Sequence, residues 1–276
     1  MKKFLIIFFI TSIFVLPVFP KEDRTTEEYL KQNKHISLMN FAGEHLVTKA
    51  IKQALKKEAP GKYHVKFKGY TLSSIKKGIF SYLEITGENV LVEDEIKLPY
   101  FNIKTTTDYN WIDYNQNPVV FKSDMDFDCI IHLSDTVVNK FIKEKDYQKV
   151  LDKVNKKAYP LFKLTGVMVK IKNDRLHTIM SYNFPLAPKE KDRTFMVTSK
   201  LKIVNNEIFP DNVSYNSVYG NLPIQKVINL INMVNPMNFV VKMADSKQSK
   251  AKIKEIKIVD DVVIINGTIH IKGEDK

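Results

Sequence analysis

The sequence predicts an α+β fold that combines amphipathic helices with a curved antiparallel sheet, one face of which is exposed to solvent. Strand-like segments alternate apolar and polar side chains with a period of two, as an antiparallel sheet with one solvated face requires. Two other segments, 41–58 and 223–234, repeat apolar residues at helical spacing. Pairs of Asn or Asp at 173–174, 205–206 and 260–261 separate apolar runs and suit the positive-φ positions of tight hairpin turns.

The first twenty residues carry the parts of a secretory signal. Two lysines precede an almost wholly apolar run, residues 4–19, which is slightly short for a membrane span of about 17–25 residues. Residues 18–20 are larger than a cleavage site normally has. We expect residues 1–20 to be a signal peptide, with an uncleaved N-terminal anchor as the alternative, and residues 21–40 to be a polar lead-in. The protein is then exported and lies in the periplasm or elsewhere in the cell envelope.

The first firm helix is predicted over 41–58, with Asn40 as its N-cap and Pro60-Gly61 as its end. Its apolar stripe consists of Leu46, Val47, Ala50, Ile51, Ala54 and Leu55. Much of the remaining surface is basic and consists of Lys49, Lys52, Lys56 and Lys57. This division predicts a helix that buries one face and exposes a cationic one.

Four strand segments follow the helix, at 63–67, 79–85, 96–114 and 121–133. The last alternates most cleanly, and its apolar face consists of Phe121, Met125, Phe127, Cys129, Ile131 and Leu133. The opposite face carries Asp124, Asp126 and Asp128. Because residues two apart in a strand share a face, the three carboxylates resemble a metal cluster, but an exposed polar strand face is the preferred interpretation.

Two amphipathic helices and one strongly apolar helix interrupt the later strands. Ser134 is predicted to cap the first of them, which bears Val137, Val138, Phe141 and Ile142. The second carries Tyr147, Val150, Leu151 and Val154. The third covers 223–234 and has the stripe Ile224, Val227, Ile228, Ile231 and Val234, widened by Leu230 and Met233. A helix that is apolar nearly all round belongs in an interior.

The chain of 276 residues has a formal charge of +12, and removal of Lys2 and Lys3 with the signal would leave +10. An exported cationic protein has anionic lipids and anionic glycans as its natural partners, and export argues against nucleic acid. The alternative is that the lysines are simply solvated surface in a chain of biased composition. The best local basic cluster consists of Lys49, Lys52, Lys56, Lys57, Lys76 and Lys77. We expect these side chains to dock the protein on anionic membrane.

No motif in the sequence predicts catalysis, a metal or a cofactor. The six histidines lie in unrelated segments, and neither an HExxH pattern, a GxSxG elbow nor a phosphate-binding glycine loop is present. Cys129 is the only cysteine, so no intrachain disulfide can form, and its alternating strand predicts a buried, inert thiol. We therefore expect no catalytic residue, no metal ligand and no cofactor.

Several stretches together resemble the LmeA-like phospholipid-binding family of exported bacterial proteins. They are the export signal and the helix at 41–58, LSSIKKG at 72–78, YLEITGENV at 82–90, LSD at 133–135 before the helix with VNKFI at 138–142, LINMVNP at 230–236, and VDDV at 259–262 with NGT at 266–268. These pieces combine apolar periodicity with turn residues and cover most of the chain after residue 20. The longer Lys-rich segments and the unusual cleavage site depart from the family pattern.

The resemblance implies an elongated curved sheet, or half-barrel, wrapped around a central helix, with lipid tails held in the interior of one domain over residues 41–276. The apolar helical stripes would then line a groove for phospholipid, with the lining residues Leu46, Val47, Ile51, Leu55, Val138, Phe141, Ile142, Ile224, Val227, Ile228 and Ile231. The implied function is lipid binding or transfer. Two alternatives stay open: a structural or adhesive envelope protein whose core is filled, and an enzyme acting on cell-wall or lipid substrates, which the missing motifs disfavour.

Overall fold

The structure is a computed structural model that describes residues 38–93, 96–116, 119–158, 162–186, 193–217, 224–238, 241, 245–246, and 248–274. The predicted signal at 1–20 and most of the lead-in lie outside these residues. Among the described helices, none combines the length and the apolar character needed to cross a membrane.

The helices and strands alternate along the chain in groups. The helices are α1 (Leu38–Glu58), α2 (Leu72–Lys76), α3 (Asp135–Lys143), α4 (Lys145–Ala158) and α5 (Ile224–Val234). The strands are β1 (Lys62–Gly69), β2 (Ile79–Glu93), β3 (Ile96–Thr105), β4 (Asn110–Asp113), β5 (Val120–Phe121), β6 (Met125–Leu133), β7 (Lys163–Lys172), β8 (Arg175–Asn183), β9 (Arg193–Val204), β10 (Glu207–Ser217), β11 (Ser249–Val259) and β12 (Val262–Ile271). The α+β class and the antiparallel character of the strand pairing are confirmed, and both sheets are open.

The chain divides into two compact units. Of the described residues, those within 38–131, 245–252 and 266–274 form unit A, and those within 132–241 and 253–265 form unit B. Each unit contains segments that are distant in sequence, and the β11–β12 hairpin contributes to both. The sequence-based expectation of one domain over 41–276 stays a prediction.

The eight-stranded sheet, most of whose strands belong to unit A, is organised on the long strand β2. Its strand order is β11-β12-β6-β3-β2-β4-β5, and β1 also pairs with β2. The predicted strand at 96–114 is in fact two strands, β3 and β4. The buried Asn110 side chain stabilises the turn between them, because its amide donates to Thr107 O at 2.9 Å and to Phe80 O at 3.3 Å. The predicted strand at 121–133 is likewise divided into β5 and β6.

Helix α1 packs against β1 through one narrow face. Val47, Ile51 and Leu55 are buried, as predicted. Leu46 is 67% exposed, so its assignment to the same stripe is wrong, because the 100° step from Val47 carries it toward solvent. The helix starts at Leu38, so Asn40 lies inside it and is not its N-cap. The predicted end at Glu58 is confirmed.

The four-stranded sheet of unit B, in the order β10-β9-β8-β7, is built from hairpins whose turns the sequence predicts correctly. Asn173 and Asp174 have φ of 54° and 55°, and Asn205 and Asn206 have φ of 50° and 63°. Asn and Asp tolerate this left-handed conformation better than other side chains. Val167, Val169 and Ile171 of β7 are buried on one face of this sheet.

Asparagine side chains connect the edge strands of this sheet to the helices. Asn139 on α3 accepts from Val169 N at 2.8 Å and donates to Val169 O at 2.8 Å. Asn155 on α4 makes the same pair of bonds to Leu164, at 2.7 and 3.0 Å. On β10, Asn235 donates to Ile208 O at 2.6 Å. These bonds satisfy backbone groups that an edge strand otherwise leaves unpaired.

We predict that Asn139→Ala lowers the free energy of unfolding by about 2 kcal/mol, because the N–H and C=O of the buried Val169 lose their partner. Chemical denaturation followed by circular dichroism measures the change. Asn229→Ala is the matched control, since Asn229 is an exposed asparagine on α5. Equal losses in both variants would show that the Asn139 bonds contribute nothing specific.

Candidate functional site

The outward face of α1 combines exposed apolar side chains with lysines. Phe41 is 69% exposed and Leu46 is 67% exposed. At 100° per residue, Lys49, Lys52 and Lys56 project between the directions of these two side chains. We call these five residues the α1 face. Exposed large apolar groups beside cations are characteristic of helices that lie in a membrane interface.

The lysines of the α1 face are not neutralised by neighbouring acids. Among the described residues, Lys49, Lys52 and Lys56 have no carboxylate within ion-pair distance. The helix contains two acidic residues. Glu44 is partly buried and its carboxylate accepts from Gly69 N at 3.0 Å. Glu58 lies about two and a half turns along the helix from Lys49 and projects from the opposite side. The positive charge of this face therefore remains available to an anionic partner.

The polar face of the unit A sheet contains a network in which charges on neighbouring strands are paired, whereas the exposed Lys62 and Lys68 of β1 lie outside that network. Glu84 on β2 accepts from Lys66 Nζ at 2.8 Å, from Tyr82 OH at 3.1 Å and from the amide of the buried Asn102 at 3.0 Å. The hydrogen bond from Lys66 is the main cause of the lowered pKa of Glu84, although desolvation opposes it. Within this network the Lys66 ammonium is therefore paired with the Glu84 carboxylate.

The three aspartates of the predicted polar strand are separated by their partners. Asp126 lies 2.8 Å from His270 Nδ1, Asp128 lies 3.6 Å from Lys104 Nζ, and the carboxylate of Asp124 accepts from Gly273 N at 2.8 Å. In the described part of the chain, no three His, Cys, Asp or Glu residues converge as a metal site would require. Their arrangement favours the interpretation of an exposed polar strand face.

The environments of Cys129 and His132 favour the neutral form of each side chain. Burial, with a smaller contribution from Asp128, raises the pKa of the Cys129 thiol to about 12. The thiol is therefore protonated at neutral pH, and a thiol is a poor nucleophile. Desolvation and Lys257 lower the pKa of His132, which keeps its imidazole neutral.

The predicted lipid-lining residues fall in both units. Leu46, Val47, Ile51 and Leu55 belong to unit A, and the remainder belong to unit B. Those buried in the structure are Val47, Ile51, Leu55, Val138, Phe141, Ile142, Val227 and Ile231. Ile228 is half-buried, and the side chain of Ile224 lies outside the described residues.

The predicted docking lysines differ in their exposure to solvent. Lys49, Lys56, Lys57 and Lys76 are exposed, whereas Lys52 and Lys77 are partly buried. The Lys77 ammonium itself is buried, so it is not available to a membrane surface. The sequence analysis also missed Phe41, whose exposure depends on how α1 rotates against β1.

Comparisons with protein-family models, with curated proteins and with solved structures find no match to this chain. The resemblance to the LmeA-like family stays a prediction from sequence.

We predict that Glu84→Gln destabilises unit A at neutral pH and has little effect in acid. The folded pKa of Glu84 is lowered. Its contribution is therefore present above the unfolded value of about 4.3 and is lost as the pH falls through the folded pKa. Thermal unfolding between pH 2 and 7 should show the two proteins converging as the pH falls. Glu58→Gln, at an exposed carboxylate on α1, is the control. A stability difference that is constant with pH would contradict the role of the Glu84 charge.

Proposed function

We propose that this chain is an exported protein that docks on anionic membrane surfaces through the α1 face and binds phospholipid. The observation that carries the docking is the exposure of Phe41 and Leu46 beside three lysines without acidic partners among the described residues. Each lysine near an anionic membrane contributes about 1 kcal/mol, and the two apolar side chains add attraction that salt does not screen.

The lipid-binding part of the proposal rests on the family resemblance and on the apolar helix α5. In this proposal the sheets curve around an apolar helix, as the resemblance implies, and acyl chains lie against apolar helical stripes. Ile228 is the half-buried member of the α5 stripe and would contact the chains. Non-enzymatic function is part of the same proposal, and the desolvated Cys129 thiol supports it.

One observation favours the alternative of an envelope protein without a ligand. Eight of the predicted lining residues are buried by other parts of the protein, as the side chains of a filled core would be. A groove that opens when lipid enters would retain lipid during purification. A permanently filled core would not.

We predict that replacing Lys49, Lys52 and Lys56 with Gln weakens binding to vesicles of anionic phosphatidylglycerol about 100-fold, since three charges of about 1 kcal/mol each are lost. Co-sedimentation at low and high salt measures the effect. The matched control replaces Lys153, Lys156 and Lys157 with Gln. These are three exposed lysines on α4 that also have no carboxylate partner among the described residues. Wild-type binding that is insensitive to both salt and phosphatidylglycerol would contradict the docking proposal.

We predict that native mass spectrometry of the protein purified from a lipid-containing host shows bound phospholipid, and that Ile228→Asp removes it. An unpaired carboxylate among acyl chains is strongly unfavourable. Asn229→Asp adds the same charge at the neighbouring exposed position and should leave the lipid bound. A lipid-free wild type supports the filled-core alternative. A folded Ile228→Asp protein with full lipid content would exclude α5 from the binding site.

A further inference from the structure

The outward face of the four-stranded sheet carries an apolar row that the core does not use. Met168 on β7 pairs with Ile179 on β8, which pairs with Met196 on β9. Met168 is 42% exposed, Met196 is 38% exposed, and Ile179 is partly buried. Three apolar side chains therefore stand side by side across three strands, on the face opposite the buried Val167 and Val169.

Basic residues flank this row on one side. The next row of the same face holds Lys170 opposite His177, and the following row holds Lys172 opposite Arg175. Lys170 and Lys172 are exposed, and neither has a carboxylate partner among the described residues. On this face β10 carries the carboxylates of Glu207 and Asp211, and that of Asp211 binds Lys202 Nζ at 2.9 Å. This face is thus apolar along one row and cationic beside it.

We propose that this face is a second anionic-lipid docking surface, formed by Met168, Ile179, Met196, Lys170 and Lys172 and named here the sheet face. The inference shares its ligand, the anionic membrane, with the proposed function, but it rests on residues of unit B that lie outside the α1 face.

The composition of the sheet face fits a lipid surface better than a folded partner. A stable protein interface buries about 800 Å² on each side around a closely packed centre, and one row of three side chains is small for that purpose. Lysine is a compact point charge that suits a diffuse anionic surface, whereas precise protein contacts favour arginine forks. Methionine is flexible and packs against irregular apolar surroundings such as acyl chains. The row would enter the headgroup layer while Lys170 and Lys172 bind lipid phosphates.

Peroxide footprinting tests the sheet face directly, because exposed methionines are oxidised to sulfoxides and a docked surface shields them. The full-length protein is treated with hydrogen peroxide alone, with phosphatidylcholine vesicles, and with vesicles containing phosphatidylglycerol. We expect oxidation of Met168 and Met196 to slow several-fold only with the anionic vesicles. Free N-acetylmethionine added to each reaction is the control and should oxidise at an unchanged rate. Membrane attachment through the N-terminal apolar segment does not by itself shield Met168 or Met196.

A variant with Met168→Ser and Met196→Ser should bind anionic vesicles about tenfold more weakly, as half-exposed apolar area is lost, and the loss should persist at high salt. Val259→Ser, which removes a similarly exposed apolar side chain from β11, should bind as the wild type does. The α1 variant with three glutamines separates the two surfaces. If anionic vesicles still protect Met168 and Met196 from oxidation in the α1 variant, the sheet face binds membrane independently of the α1 face. If the wild type binds vesicles through its α1 lysines but Met168 and Met196 are not protected, the sheet face is not a docking surface. The proposed function would still hold in that case. Protection by an acidic protein but not by anionic vesicles would also overturn it.

Discussion

The two-residue turns of the unit B sheet set the register on which both of its faces depend. Asn173 and Asp174 close the β7–β8 turn, and Asn205 and Asn206 close the β9–β10 turn, all with positive φ. Side chains alternate across a strand, so a slip by one residue would move Val169 to the solvent face and Met168 into the core. The buried face and the methionine row are therefore two consequences of the same turn geometry.

Net charge by itself says little about where an anionic partner binds. On the polar face of the unit A sheet, Lys66 and Lys104 are paired with carboxylates on neighbouring strands. On α1 and on the outward face of β7, lysines stand beside exposed apolar side chains without such partners in the described residues. Unpaired cations next to apolar groups, and not the total of +12, define the membrane-binding candidates.

Asparagine has a structural role in this chain that its frequency alone does not suggest. Asn139 and Asn155 each use both ends of the amide to bind one backbone residue of the edge strand β7. An amide is the one neutral side chain that offers a donor and an acceptor in this arrangement. The helices are thereby held at fixed positions along β7, and the strand edge is closed to pairing with another chain.

The sequence by itself determined the features that depend on neighbouring residues. The hairpin turns, the alternation of β1, the Ser134 cap of α3 and the end of α1 all follow from local sterics and local hydrogen bonds. Only the tertiary structure decided features that join distant segments. It placed Leu46 in solvent, put Asn40 inside α1, divided the strand at 96–114 and aligned Met168 with Met196. Helix rotation, strand register and ion pairing depend on residues far apart in the chain, and no local pattern contains that information.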